Sequence, residues 1–134
     1  MKKFLALAIS IIAIVVCTFA VACGKSPVKA DENTVFITVT DKSYNDKTLS
    51  EYMNHLQDEG ELTFKLENGM VTSLNGKANT QNSFWMLYTD DAENANEAWG
   101  TFEHEGVIYG SAVAGVGELR IKEGCSYIWT YQTF

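Results

Sequence analysis

The chain has 134 residues, room for one domain, with a net charge of −7, 46% hydrophobic and 12% aromatic residues. This composition excludes a disordered acidic tail, and it excludes collagen-like, coiled-coil and disulfide-dense scaffolds as well. The apolar residues are unevenly spread, since Phe4 to Ala22 is almost wholly apolar and the rest is mixed.

Lys2 and Lys3 precede the apolar run Phe4–Val16, and Ala20-Val21-Ala22 leads into Cys23, the pattern of a secretion signal. The last residues resemble the lipobox of bacterial lipoproteins, in which a small residue before a cysteine lets the thiol accept diacylglycerol before cleavage. Ala22-Cys23 meets that requirement, whereas Val16-Cys17 puts a β-branched side chain where a small one is needed. A plain membrane-anchor helix is the alternative, because the stretch is about long enough to span a bilayer. The lipoprotein reading makes residues 1–22 a signal peptide and Cys23 the palmitate-bearing membrane anchor of a domain facing the outside of the cytoplasm. Removing 22 of 134 residues leaves 112, and the loss of two lysines takes the charge from −7 to −9. So acidic a domain is a poor partner for nucleic acid or for anionic headgroups, so attachment falls to the acyl chains. With Cys17 removed and Cys23 acylated, Cys125 has no partner for a disulfide.

Residues 23–34 include the single proline, Pro27, and show no periodicity; they read as a tether. Val35–Val39 alternates and is rich in β-branched residues, as a strand requires. From Thr48 to Gly60, Leu49, Tyr52, Met53 and Leu56 fall at i, i+3, i+4 and i+7. Thr48 and Glu51 are spaced as a capping box, so this is an amphipathic helix stopped by Gly60. Strands are expected at Glu61–Leu66 and Met70–Leu74, divided by tight turns at Asn68-Gly69 and Asn75-Gly76. Ser83–Thr89 is apolar on both faces, with Phe84, Met86 and Tyr88 on one and Trp85 and Leu87 on the other, which marks a central strand or one facing a ligand. An acidic, Asn-rich stretch, Asp90–Glu97, precedes strands at Val107–Val113, Glu118–Ile121 and Cys125–Thr133, with a turn at Lys122-Glu123-Gly124. One helix among many strands predicts an α+β fold, a β-grasp-like mixed sheet with the helix packed on it.

Catalytic patterns are missing from the sequence. His55 lies beside the apolar stripe of its helix and reads as a solvated flank residue. Glu103-His104-Glu105 alternates across a strand, so its side chains do not converge on a metal ion. Cys125 reads as a small hydrophobe, and no Ser-His-Asp set, phosphate-binding Gly loop or zinc-ligand spacing occurs. The expectation is a protein that is not an enzyme, with no metal and no required cofactor. Aromatic residues crowd the chain from Phe84 onward. Tyr127, Trp129 and Tyr131 share one face of the last strand, either as core or as a solvent-side binding stripe.

The segments Met70-Val71-Thr72-Ser73-Leu74-Asn75-Gly76, Ser83-Phe84-Trp85-Met86-Leu87-Tyr88, Gly115-Val116-Gly117-Glu118-Leu119 and Lys122-Glu123-Gly124 resemble, in order and spacing, the transcobalamin-like C-terminal domain. The resemblance spans about Val35 to Tyr131 and marks residues 35–134 as that domain. In vitamin B12 carriers it is the smaller, β-rich half of a two-domain clamp. The resemblance implies that Phe84, Trp85, Met86 and Leu87, with Gly115, Val116 and Gly117, touch a ligand, cobalamin or a related corrinoid. Met86 stands where the carriers have Gln, and the large helical domain of the clamp has no counterpart in 112 residues. Two functions follow as expectations: a surface lipoprotein binding a small amphipathic ligand, or a protein-interaction or adhesion module using the same aromatic surface against a surface protein.

Overall fold

The computed structural model describes residues 26–134. Cys17, Cys23 and the whole signal segment therefore lie outside the described residues, as do the first residues of the tether. Among the described residues no helix is long and apolar enough to cross a membrane.

The fold is α+β, with nine strands and one α-helix among the described residues. Strands β1 (Val28–Ala30), β2 (Thr34–Thr38), β6 (Ser83–Thr89), β7 (Ala95–His104), β8 (Val107–Ala112) and β9 (Ser126–Thr133) form one sheet in the order β1-β2-β9-β6-β8-β7. Strands β3 (Phe64–Glu67), β4 (Met70–Leu74) and β5 (Lys77–Ala78) form a second, small sheet. Every strand pairing is antiparallel, so the large sheet is not the mixed one expected from the sequence. Part of the expected tether is also strand, because Val28–Ala30 pairs with Val35–Ile37 along the edge of the sheet.

Helix α1 (Leu49–Asp58) starts where its capping box places it. The Thr48 hydroxyl accepts from the Glu51 backbone N–H, and the Glu51 carboxylate accepts from the Thr48 N–H at 2.8 Å. Leu49, Tyr52, Met53 and Leu56 are all buried, so the apolar stripe of the sequence is the face laid on the sheet. It meets Val35 and Ile37 of β2 and Tyr127 and Trp129 of β9 in one core. The face of β9 that carries Tyr127, Trp129 and Tyr131 is therefore the core face, with Tyr131 half-buried and donating its hydroxyl to the Ala78 carbonyl at 2.7 Å. The two Asn-Gly pairs make the tight turns that their chemistry dictates, with positive φ at Asn68, Gly69, Asn75 and Gly76. Gly60 and Gly124, expected at chain reversals, also have positive φ.

Strand β6 is central, and each of its faces is covered. Trp85 and Leu87 point into the main core, while Met86 and Tyr88 join Phe36, Phe102, Tyr109 and Ile128 in a second cluster. Phe36 of β2 and Phe102 of β7 have ring centroids 6.2 Å apart, although the two strands are separated by three others in the sheet. The sheet is thus curled, bringing the β7–β8 hairpin back over its outer face. Two readings need correction. The acidic stretch Asp90–Glu97, read as lying between strands, ends inside β7, and Glu118–Ile121, expected as a strand, is a turn followed by a single bridge, Thr48 to Arg120.

Candidate ligand site

The ladder between β6 and β8 has only two rungs, Tyr88 with Ser111 and Thr89 with Gly110. Phe84–Leu87 pairs fully with β9 on one side, yet has no β8 partner on the other. A side chain closes part of this gap. Asn79 accepts from the Trp85 backbone N–H at 3.0 Å through its Oδ1 and donates to the Val71 carbonyl at 3.1 Å through its Nδ2. The remaining gap is a cavity of about 400 Å³ between β6, the chain after β8 and the β3–β4 turn. That volume lies within the ordinary range for small-molecule sites.

The segment after β8 is fixed by the helix. At the start of α1 the Leu49 N–H donates to the Leu119 carbonyl and the Ser50 N–H to the Val116 carbonyl, each at 2.9 Å. These are donors that a helix N-terminus leaves unsatisfied, and here a loop supplies the acceptors. Gly115–Leu119 closes on itself as well, since the Leu119 N–H donates to the Gly115 carbonyl at 2.9 Å. Val116 is thereby buried against the core and faces the cavity.

Six of the seven residues singled out in the sequence line this one cavity: Phe84, Trp85, Met86, Leu87, Gly115 and Val116. Gly117 does not, and a Cβ built there would meet open space. A Cβ at Gly115 would lie 3.6 Å from the Gly69 carbonyl oxygen, an ordinary contact, so no protein neighbour demands glycine at either position. Trp85 is 6% exposed, and its indole N–H donates to the Lys77 carbonyl at 2.8 Å. It is a core residue with one surface on the cavity, not an exposed platform.

The exposed elements are others. Trp99 is 66% exposed at the mouth, Met70 stands beside it at 64%, and Phe84 extends the apolar surface toward Phe134 with ring centroids 6.3 Å apart. Trp99 is thrown outward by a bulge in β7, where the register with β8 shifts between Asn96 and Thr101. Gly100, next to it, has φ 144°, which only glycine adopts readily. Trp99 is not among the ligand residues expected from the sequence, and Trp129, a second buried tryptophan lining the cavity, is named there only as one of the three aromatic residues on a face of β9. The Trp-Gly pair at 99–100 is the available sign of a bulge, whereas nothing local distinguishes Trp129 from Tyr127 and Tyr131.

Charge is kept away from the cavity, whose lining, apart from the three tryptophan indoles, has polar side chains only at Asn79 and Ser111. The buried carboxylate of Asp91 lies elsewhere and is fully engaged. Burial alone would raise its pKa, but hydrogen bonds from Asn94 Nδ2, the Glu93 N–H and Lys122 Nζ outweigh burial and hold it below the usual carboxylate range. Tyr127 packs over this acid, and burial pushes its phenol well above the usual value. Cys125 is half-buried beside them, its thiol pushed up by burial and by the charges of Asp90 and Asp91. A raised thiol pKa is the reverse of what a nucleophile needs.

The histidines stand apart from both centres. His55 is half-buried and stacks on Tyr44 at 4.9 Å, more enclosed than a solvated flank. His104 packs on Phe36 at 4.5 Å, and its Nε2 is 3.7 Å from a Glu105 carboxylate oxygen. Among the described residues no three His, Cys, Asp or Glu side chains are grouped as metal ligands. No protein-family model matches the chain, no curated protein is detectably similar to it, and no solved structure matches its fold.

Proposed function

We propose that the chain is a surface lipoprotein, anchored through Cys23, whose domain binds a small amphipathic ligand in the cavity beside β6. One observation carries this reading. Two segments far apart in sequence, Phe84–Leu87 and Gly115–Val116, converge on a single apolar cavity whose mouth leaves Trp99 and Met70 largely exposed. Large side chains left in water around a concave apolar site are unfavourable unless something covers them. A corrinoid is the candidate named by the resemblance to the transcobalamin-like domain. Its ring exceeds a cavity of about 400 Å³, so only an edge would be enclosed and the rest would lie on Trp99, Met70 and Phe84. The β-grasp-like description belongs to the same proposal and rests on one amphipathic helix covering one face of a curled sheet.

The exposed Phe84–Phe134 pair, which extends the apolar surface beyond the cavity, favours a second reading in which a surface protein docks there. Calorimetric titration of the full chain with cobalamin tests the first reading, and capture from an extracellular extract tests the second. Cobalamin heat abolished by filling the cavity supports ligand binding. Silence toward cobalamin together with capture of one protein, lost on Phe134→Ser, would transfer the function to the second.

A further inference from the structure

Strand β6 has an open edge beside the cavity. In a strand the N–H and C=O of one residue point to the same side, and that side alternates from residue to residue. The Trp85 N–H donates to the Asn79 side chain and so is turned away from β9. Trp85 and Leu87 therefore both present their main-chain groups to the side on which β8 would lie. Thr89, two residues on, meets Gly110 of β8 there, but no β8 residue stands opposite Trp85 or Leu87. Among the described residues, no loop and no side chain supplies a partner to the Trp85 C=O or the Leu87 N–H. Both residues line the cavity. Asn79 shows what this edge accepts, because the group that takes the Trp85 N–H in place of a strand is an amide.

We infer that the ligand is a short extended peptide segment lying along this edge, an inference that rests on the ligand-binding reading above. The Trp85 C=O and the Leu87 N–H have one residue between them. A single residue of a parallel strand pairs with two such groups, donating its N–H to the first and accepting at its C=O from the second. An antiparallel segment would draw the N–H and the C=O from two different residues, and the one opposite Trp85 would find the Trp85 N–H already taken by Asn79. The ligand residue opposite Met86 shares the face of Met86. Its two neighbours point with Trp85 and Leu87 toward Val71, Val116 and Trp129, so those neighbours are apolar. No Lys, Arg, Asp, Glu or His side chain lines the cavity, so the enclosed residues are uncharged and the charged ends of the peptide lie outside. The edge from Phe84 to Leu87 spans about 10 Å, the length of about three extended residues.

Three probes of one shape test this: acetyl-Leu-Ala-Leu-amide, and two analogues in which an ester oxygen replaces the N–H of the alanine or of the second leucine. The full chain, ¹⁵N-labelled at leucine and held in lipid nanodiscs, is dialysed against each, with uptake by empty nanodiscs subtracted and cobalamin run alongside. The expected result is that the alanine ester binds about fivefold or more weakly than the parent, the loss of one hydrogen bond. The second-leucine ester, whose missing N–H would point away from β6, should bind nearly as tightly as the parent. The Leu87 amide resonance should move downfield when the parent binds. Equal binding of all three overturns the inference and leaves the cavity as a purely apolar site. A loss at the second leucine as large as that at the alanine overturns the single-residue pairing, and so does a Leu87 resonance that a bound peptide leaves unmoved. No uptake of any peptide beside saturable uptake of cobalamin overturns this inference alone. If cobalamin is not taken up either, the ligand-binding reading fails with it.

Discussion

Trp85 and Lys77 are joined by a hydrogen bond of 2.8 Å, from the indole N–H to the backbone carbonyl, that ties the central strand of the large sheet to the last strand of the small one. Trp85 also packs edge-on against Tyr131, with ring centroids 5.1 Å apart. It is the joint between the two sheets before it is a wall of the cavity. Trp85→Ala is therefore expected to cost about 3–5 kcal/mol of stability. Trp85→Phe, which loses the hydrogen bond and part of the ring, should cost about 1–3 kcal/mol. Denaturant melts check both, and a change near zero for Trp85→Ala would remove the residue from the core.

Trp99 should behave in the opposite way. At 66% exposure it contributes little to folding, so Trp99→Ala should change stability by no more than about 0.5 kcal/mol. The same substitution should weaken binding of cobalamin severalfold. Equilibrium dialysis and melts run on one preparation separate the two effects.

Gly110 opposes the β7 bulge, and a Cβ built there would lie 3.0 Å from the Ala95 Cβ and 3.2 Å from the Glu97 backbone nitrogen. Backbone cannot yield as a flexible side-chain end can. Gly110→Ala is expected to destabilise the fold by about 1–3 kcal/mol. Hydrogen exchange should show the loss concentrated in the β7–β8 hairpin.

Asp91 makes stability depend on acid. Its carboxyl is held below the ordinary value of 3.8, so the folded form takes up the proton at lower pH than the unfolded chain does. The stabilisation is complete above about pH 5 and drains away as pH falls through 3.8 toward the depressed folded value. Asp91→Asn should remove that part of the acid dependence and lower stability at neutral pH by about 2 kcal/mol. Melts of both proteins between pH 3 and 7 check the slope, and parallel curves would contradict the assignment.

The anchor is tested apart from the fold. Cys23→Ala should leave an unlipidated precursor that takes no label from a radioactive fatty acid, because the proposed lipobox makes that thiol the acyl acceptor. Labelling that persists in Cys23→Ala would overturn the lipobox reading.

Local chemistry made some of the molecule legible in sequence. The capping box at Thr48 and Glu51, the stripe from Leu49 to Leu56 and the Asn-Gly turns each act within a few residues, and each stands where its pattern puts it. Strand β6 was readable as central because both its faces are apolar. Strand β1 was not, since Val28-Lys29-Ala30 has no pattern of its own and is a strand only because β2 offers it an edge. The start of β7 was hidden by its acidic composition and by a bulge that breaks the period of two. At Glu118–Ile121, Leu119 and Ile121 mimic a strand by alternation, although each is buried by a turn clamped to the helix N-terminus. The cavity residues on β6 and in the loop after β8 were named through a resemblance that no comparison tests, not through periodicity. The open edge of β6 is invisible locally, because whether a strand's main-chain groups are paired depends on what every other strand brings to it.

The central claim, that the cavity beside β6 holds a small ligand, is tested most directly by filling it. Ala114 lines the cavity and is half-buried at the edge of the main core, so Ala114→Phe puts a ring where the ligand would sit. Equilibrium dialysis of cobalamin against the wild-type chain and Ala114→Phe in nanodiscs should show saturable binding at one site in the first and its loss in the second, with thermal melts showing both proteins folded. Equal uptake by both, or no saturable uptake by the wild type, would contradict the claim.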